Sequence, residues 1–389
     1  DGITSVAGTI LAKGGANGGD GGMVETSDHT LDVGHETLSV KAIAVDGKGK
    51  AGLWLLDPHD LTVDGALATN IGNALTQGNS VTIYTQTDGC YTSGLAGGTC
   101  TDAGANGGKI YFSNGVRINK DGSAPGASTN HVTFTVDAYT DIELSNDVWI
   151  QSVNNGGRLT VNLYADRKNE QIGRRVLMVN SKIQTDGGDI FIGSSVGDNT
   201  VYGSTNAGVY LSNSTLDAAG GTVRINGGAK GFVGQAGNSI YGVQMGSTTI
   251  TANSGIYLKS TIYAGADYTG AGSVSFPFYM SGTLNSTNTV SIEAVNAAGN
   301  TGGATPQGIY MVGGATNING GIVLMKGFVS NPAAGSYDIY NGTGLNINAN
   351  GSNITLQGNK MSLSSANISS SGGTLYLQGY YSNWGISLG

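Results

Sequence analysis

GGTVRI, residues 220–225, sets a charged Arg224 between the apolar Val223 and Ile225. Apolar positions two apart with a polar one between them are the signature of a strand buried on one face and wet on the other. The two glycines ahead of it mark a turn. The cadence of two small residues, any residue and then alternating apolar positions returns as GGKIYF at 107, GGRLTV at 156, GGDIFI at 187, AGSVSF at 271, GSNITL at 351 and GGTLYL at 372. A partner pattern precedes it, reading IELSNDVWIQS at 142, VLMVNSKIQT at 176, GVYLSNSTLDA at 208, GIYLKSTIYA at 255, GIYMVGGATNI at 308 and MSLSSANIS at 361. Each partner begins as a strand, passes a corner of Ser, Asn or Thr, and re-enters an apolar set. The cycle is strand, corner, strand, GG turn, strand, and no segment shows capped helical periodicity. Short strands joined by Gly and Asn corners predict an all-β, right-handed parallel β-helix (β-solenoid) with negligible helix and ~20–25 residues to a coil.

The composition agrees with one repetitive architecture. The chain has 389 residues with Gly 67, Pro 5 and 11% charged residues. Glycine without a G-X-Y period and with so little proline excludes collagen, and a 39% hydrophobic fraction spread along the chain opposes disorder. Net charge is −8 with no basic stripe, which argues against a nucleic-acid partner. No apolar run is long enough for a membrane-spanning helix, and the start DGITSVAGTI reads as a processed product or a piece of a longer precursor. A transmembrane barrel would need longer strands and aromatic girdles.

The bulkiest cluster lies in AGLWLLDPHDLTVDG, residues 51–65, where Trp54, Leu55 and Leu56 stand together in a chain otherwise sparing with large side chains. They are expected to form a structural plug, and Pro58 to end the strand because it cannot continue a ladder. Upstream lies GGDGGMVETSDHTLDV, residues 18–33. The pair GGDGGMVETS and AGLWLLDPHDLTV, within residues 18–63, resembles the filamentous-haemagglutinin-like, high-molecular-weight adhesins exported by two-partner secretion. The resemblance implies an extracellular or bacterial cell-surface β-helix, an outer-membrane secretion pore as export partner, and a host or matrix glycan or protein receptor. The family's NPNG-type and NPNL-type secretion stretches do not occur in this sequence. The division that follows is residues 1–65, carrying both motifs, and residues 66–389, continuing the repeats with lateral loops.

Cys90 and Cys100, in CYTSGLAGGTC, are the only cysteines. A bridge closing this Gly-rich loop would contribute roughly 2–3 kcal/mol on the chain-entropy view and points to an oxidising compartment; two free thiols are the alternative. The four histidines, His29, His35, His59 and His131, lack metal-ligand spacing. Asp137, Asp141 and Asp147 are the nearest thing to the paired carboxylates of a polysaccharide-cleaving enzyme, and nothing sets them apart from ordinary corner aspartates. Residues 165–175, ADRKNEQIGRR, read as a solvated loop. Sequons at Asn213, Asn285, Asn341, Asn350, Asn353 and Asn367 occur at the frequency chance supplies in so Asn- and Ser-rich a chain.

Tyr210, Tyr257 and Tyr310 recur in GVYL, GIYL and GIYM and are expected to point outward, as a surface stripe for glycans or a neighbouring copy or as a shielding ladder. Ile3, Val6 and Ile10 in the first coil, and Leu375, Leu377, Trp384 and Ile386 in the last, form apolar ends without the charges that usually block strand pairing. The expected function is a secreted, non-catalytic surface adhesin or biofilm-matrix rod with no cofactor. The alternatives are a subunit stacking head to tail with itself into a filament, and a polysaccharide-active enzyme.

Overall fold

The computed structural model describes residues 2–44, 49–86, 107–167, 174–203, 207–230, 239–263, 274–297 and 305–380, with the backbone of 387–388. The architecture is all-β, 55% strand and 4% helix, with parallel strands stacked as a β-solenoid of about nine turns. Its chain groups into two compact units: unit 1, Asp1–Lys168 with Asn180–Phe191, and unit 2, Asn169–Val179 with Ile192–Gly389.

The repeat motif does in the fold what its alternation requires. In the strand Thr222–Ala229, Val223 and Ile225 are buried and Arg224 is exposed. That strand pairs in parallel with Gly255–Ile262, which pairs with Thr289–Asn296, then Ile322–Val329, Ile354–Gln357 and Leu375–Gln378. A second sheet of unit 2 runs through Val209–Ser212, Ser239–Thr251, Val274–Asn285, Ile309–Gly320, Ile339–Asn341 and Lys360–Ser362. Between them lies a core of Val, Ile, Leu, Met and Phe at essentially zero exposure, among them Val209, Val243, Phe278, Ile309, Ile292 and Met325. A Cβ at Gly321 would lie 2.5 Å from the Thr287 carbonyl, so the second glycine of this turn is what lets neighbouring coils meet. The polar corners are left-handed, at Asn146 and Asn180 in unit 1 and at Asn213 and Ser247 in unit 2.

The coil is longer than the ~20–25 residues expected from the motifs alone. Asn319 lies 34 residues beyond its register partner Asn285, and Lys326 lies 33 beyond Glu293. The spacing is 27 residues from Trp54 to Val81 and from Val132 to Leu159, and falls to 21 near the carboxy-terminal side, where Thr374 is hydrogen-bonded to Asn353. Each full coil carries a strand from both patterns plus a wide connection, so fewer coils form. The two patterns also do not mark the two sheets faithfully. GIYLKSTIYA supplies the GG-strand sheet, whereas AGSVSF and GGKIYF supply its partner.

Helix is present where none was expected. Gly65–Thr76 is α-helical, N-capped by Asp64, whose carboxylate accepts the Leu67 N–H at 2.9 Å. Leu67, Ile71, Ala74 and Leu75 form its buried face. Asn70 donates to the Val33 carbonyl at 2.9 Å, and the fully buried Asn79 donates to Val40 and Ala74 while accepting from the Ala42 N–H. The helix thus covers a coil of unit 1. The 65/66 division drawn from the sequence falls inside this unit, at the first helical residue.

Candidate functional site

Along a parallel ladder, residues in register repeat one above another, so an outward aromatic that returns once per coil becomes a column. Unit 2 builds such a column from half-buried tyrosines and one buried ring, Phe276 at 7% exposure. Tyr241 pairs with Phe276, and Tyr279 pairs with Tyr310, which pairs with Tyr340. The alternation that buries Ile309 and Met311 leaves Tyr310 half-buried between them, and Tyr340 stands likewise between Ile339 and Asn341. Tyr241 stacks on Phe276 at 5.4 Å, Phe276 meets Tyr310 at 4.7 Å, and Tyr310 stacks on Tyr340 at 4.8 Å with planes 12° apart. Tyr279 closes on Tyr241 edge-on at 5.5 Å, and Tyr337 extends the group from Tyr340 at 5.3 Å. These separations lie in the favourable range for aromatic pairs. Burial, followed by the neighbouring phenols, holds the Tyr279 and Tyr310 hydroxyls above the usual tyrosine range.

At its Tyr337 end the column meets a cavity of about 220 Å³ lined by Val329, Pro332, Ser336, Tyr337, Asp338, Asn359 and Lys360. Asp338 is buried, and its carboxylate accepts the Val329, Asn359 and Lys360 backbone N–H groups at 2.8, 2.6 and 2.9 Å. Burial raises its pKa and the three donors oppose that rise. Gly358 makes the corner possible, since a Cβ there would lie 2.8 Å from the Asp338 Cβ. Lys360 holds its ammonium 4.5 Å from the Tyr337 ring centre. Asp338 is engaged by backbone, and the Lys360 charge beside it also favours its ionised form.

The stripe read from GVYL, GIYL and GIYM is not a single stripe. Tyr210 and Tyr310 share a sheet, in register through Gln244 and Tyr279, but Tyr257 lies in the other sheet, under the Arg224 guanidinium at 4.5 Å. The motifs look alike because both sheets alternate in the same way. The residues missed, Tyr279 and Tyr340, were signalled by their recurrence one coil before and after Tyr310.

Trp54 is 1% exposed and donates its indole N–H to Thr26 at 3.2 Å; Val24 and Val81 flank it in register. Leu56 is fully buried, while Leu55 is half-buried on the opposite face of the strand, as alternation demands. Pro58 is the last residue of that strand. Cys90 and Cys100 lie outside the described residues, as do Trp384 and Ile386. Ile3 is 73% and Leu375 44% exposed, while Val6, Ile10 and Leu377 are half-buried.

The histidines and aspartates are dispersed. His29 stacks on His59 at 4.9 Å, His35 bonds Asp32 and Ser5, and His131 bonds Thr160. Among the described residues no group of three or more His, Cys, Asp or Glu could hold a metal ion. Asp137 pairs with Arg167 at 3.5 Å, Asp147 pairs with Arg117 at 2.6 Å, and the Asp141 carbonyl accepts the Ile110 N–H. Arg167, expected on a solvated loop, folds back over the Tyr84 ring at 3.6 Å. Of the sequon residues, Asn341 is fully buried and bonded to Ser364, Asn285 accepts from Asn319, and Asn213, Asn350, Asn353 and Asn367 are exposed. Among the described residues no helix is long and apolar enough to cross a membrane.

The chain matches no protein-family model and no curated protein.

Proposed function

We propose that the protein is a secreted, non-catalytic β-solenoid adhesin or biofilm-matrix protein that acts at the bacterial surface or beyond it. The observation that carries this reading is the column on unit 2, whose half-buried rings Tyr241, Tyr279, Tyr310, Tyr340 and Tyr337 gather around the buried Phe276. Such a surface suits a repeating ligand, because Tyr279, Tyr310 and Tyr340 stand in register on successive coils and weak contacts multiply along one chain. The likeness of residues 18–63 to adhesins exported by two-partner secretion supports the same reading and supplies its export route, an outer-membrane pore. The carboxylates favour it over an enzyme, since Asp137 and Asp147 are each tied to an arginine and Asp338 to three backbone donors.

The test is adhesion of the purified, labelled protein to bacterial cells and to isolated matrix material, with reducing-end release from the same polysaccharides measured in parallel. Saturable binding without release of sugar ends is the expected result. Release of sugar ends, or no binding to either material, overturns the reading. A second reading, stacking of copies strand edge to strand edge, draws on the exposed apolar side chains Ile3, Leu11, Leu375 and Tyr376. Sedimentation of the purified protein across a concentration series decides it, since growing species would support stacking.

A further inference from the structure

We propose that Asn17–Gly18 and Asn350–Gly351 are sites of spontaneous deamidation in the folded protein, and that the fold protects its other described Asn–Gly pairs from the same reaction. The reaction takes no ligand and no partner, so it stands apart from the adhesin reading.

The chemistry needs a free backbone nitrogen. The glycine nitrogen attacks the asparagine Cγ, an N–Cγ bond forms, the Cγ–Nδ2 bond breaks, and ammonia leaves with the proton that the glycine nitrogen gives up. Water then opens one of the two ring C–N bonds of the cyclic imide, leaving an aspartate or an isoaspartate. Glycine permits the attack because it carries no side chain to obstruct it. A glycine N–H held by an acceptor must first be released, and the cost of release depends on how much structure has to open with it.

The sequence contains eight Asn–Gly pairs, and seven lie among the described residues. Five of these are tied into the solenoid. The Gly115 N–H donates to the Asn146 carbonyl of the next coil at 3.0 Å, and the Gly342 N–H to the Met311 carbonyl of the preceding coil at 3.0 Å. The Asn341 side chain is itself buried, donating to the Ser364 carbonyl at 2.6 Å and accepting the Gly344 N–H at 3.2 Å. Gly227 stands in the ladder between Val201 and Ser260. Gly320 faces Ala349 in register, and the Asn319 amide beside it donates to Asn285 at 2.8 Å. Gly156 bonds within its own turn, to the Val153 carbonyl at 2.9 Å, but its carbonyl accepts the buried Lys120 ammonium, and a Cβ on it would lie 2.4 Å from the Lys120 carbonyl. The two remaining pairs are held only locally. The Gly351 N–H reaches the Ala349 carbonyl at 2.8 Å, two residues back, and both Asn350 and Gly351 are exposed. The Gly18 N–H reaches the Gly15 carbonyl at 3.0 Å across a turn that carries the exposed Asn17. Asn114 isolates the cause: Asn114 and Gly115 are exposed just as Asn350 and Gly351 are, and the pairs differ in whether the glycine N–H is bonded to another coil.

The experiment is a time course of the whole purified protein in warm, mildly alkaline buffer, once folded and once in denaturant. Peptide mapping by mass spectrometry follows the change from amide to acid at each asparagine, and chromatography separates aspartyl from isoaspartyl products. In the folded protein Asn17 and Asn350 should convert about tenfold faster than Asn114, a difference worth about 1.4 kcal/mol in releasing the glycine N–H. In denaturant the three should convert at similar rates. Each event adds one negative charge to a chain at −8, so isoelectric focusing of the folded sample should develop more acidic bands as the mapped conversion proceeds. Hydrogen exchange supplies a readout that does not depend on the reaction: the Gly18 and Gly351 amides should exchange about tenfold faster than the Gly115 amide. The proposal is overturned if Asn114 converts as fast as Asn350 in the folded protein, or if either Asn17 or Asn350 stays intact over the time in which the unfolded chain converts.

Discussion

Unit 1 and unit 2 use one strand alternation to build different outer faces. In unit 1 the outward positions are spent on charge, Arg117 with Asp147 and Lys109 with Glu143, while Arg167 reaches the buried Asp137 and the Tyr84 ring. Its core also takes special pieces, the indole of Trp54 and the helix Gly65–Thr76. In unit 2 the core is a plain repeat of aliphatic and Met or Phe layers, and the outward positions of one sheet carry rings in place of ion pairs. Exposed ion pairs are worth little, ~0–1 kcal/mol, so unit 1's outer face contributes solubility more than stability. The aromatic face, by contrast, is where the binding role proposed above is placed. The lesson is that in a solenoid the inward residues specify the fold and the outward ones are free to specify contacts.

The comparison breaks most readily at Trp54. Trp54→Ala should destabilise unit 1 by ~3–5 kcal/mol, the range for emptying a large core site, and chemical denaturation should show it. An unchanged midpoint would mean that unit 1 does not depend on its special core. In unit 2 the buried Asp338 gives the next test: Asp338→Ala leaves three backbone N–H groups without their acceptor, and about 3 kcal/mol is expected in the same measurement. Removing the helix cap with Asp64→Ala should cost about 1 kcal/mol, and hydrogen exchange should report it first in the Gly65–Thr76 amides.

How much of this was legible in the sequence follows from the same division. The alternation in GGTVRI determines which side chains go inside, so the solenoid and the burial of Trp54 and Leu56 could be read directly. The helix could have been read too. Asp64 precedes Leu67, Ile71 and Leu75, a cap followed by an apolar stripe, but the strand cadence on either side masked it. Coil length was not legible, because the wide connections carry no pattern. The aromatic column needed the register, and register is a property of paired strands rather than of one segment. Hence GIYL and GIYM look alike although Tyr257 and Tyr310 lie in different sheets, and Tyr279 and Tyr340 join Tyr310 only through the ladder.

The subtlest contrast is in the tyrosines. Tyr310 is held above the usual range by burial and then by Tyr340 and Tyr279, whereas Tyr164 in unit 1 is held up by burial and then by Asp137. A raised pKa on a group that is neutral when protonated means the unfolded chain releases its proton first. Stability is therefore unaffected below the ordinary tyrosine range and falls as pH rises through it. Spectrophotometric titration of Asp137→Asn should move Tyr164 back toward its ordinary value and leave the unit 2 tyrosines where they are.

The central claim is that recognition belongs to the outer face of unit 2 and not to an aromatic pair of unit 1. Tyr164 and Phe191, 5.2 Å apart and half-buried on unit 1, provide the control. Adhesion to matrix material should be compared for Tyr310→Ala and Tyr164→Ala, with the folded state of both verified by thermal unfolding. Loss of adhesion in Tyr310→Ala with adhesion retained in Tyr164→Ala is the predicted result; equal adhesion by the two variants would contradict the account.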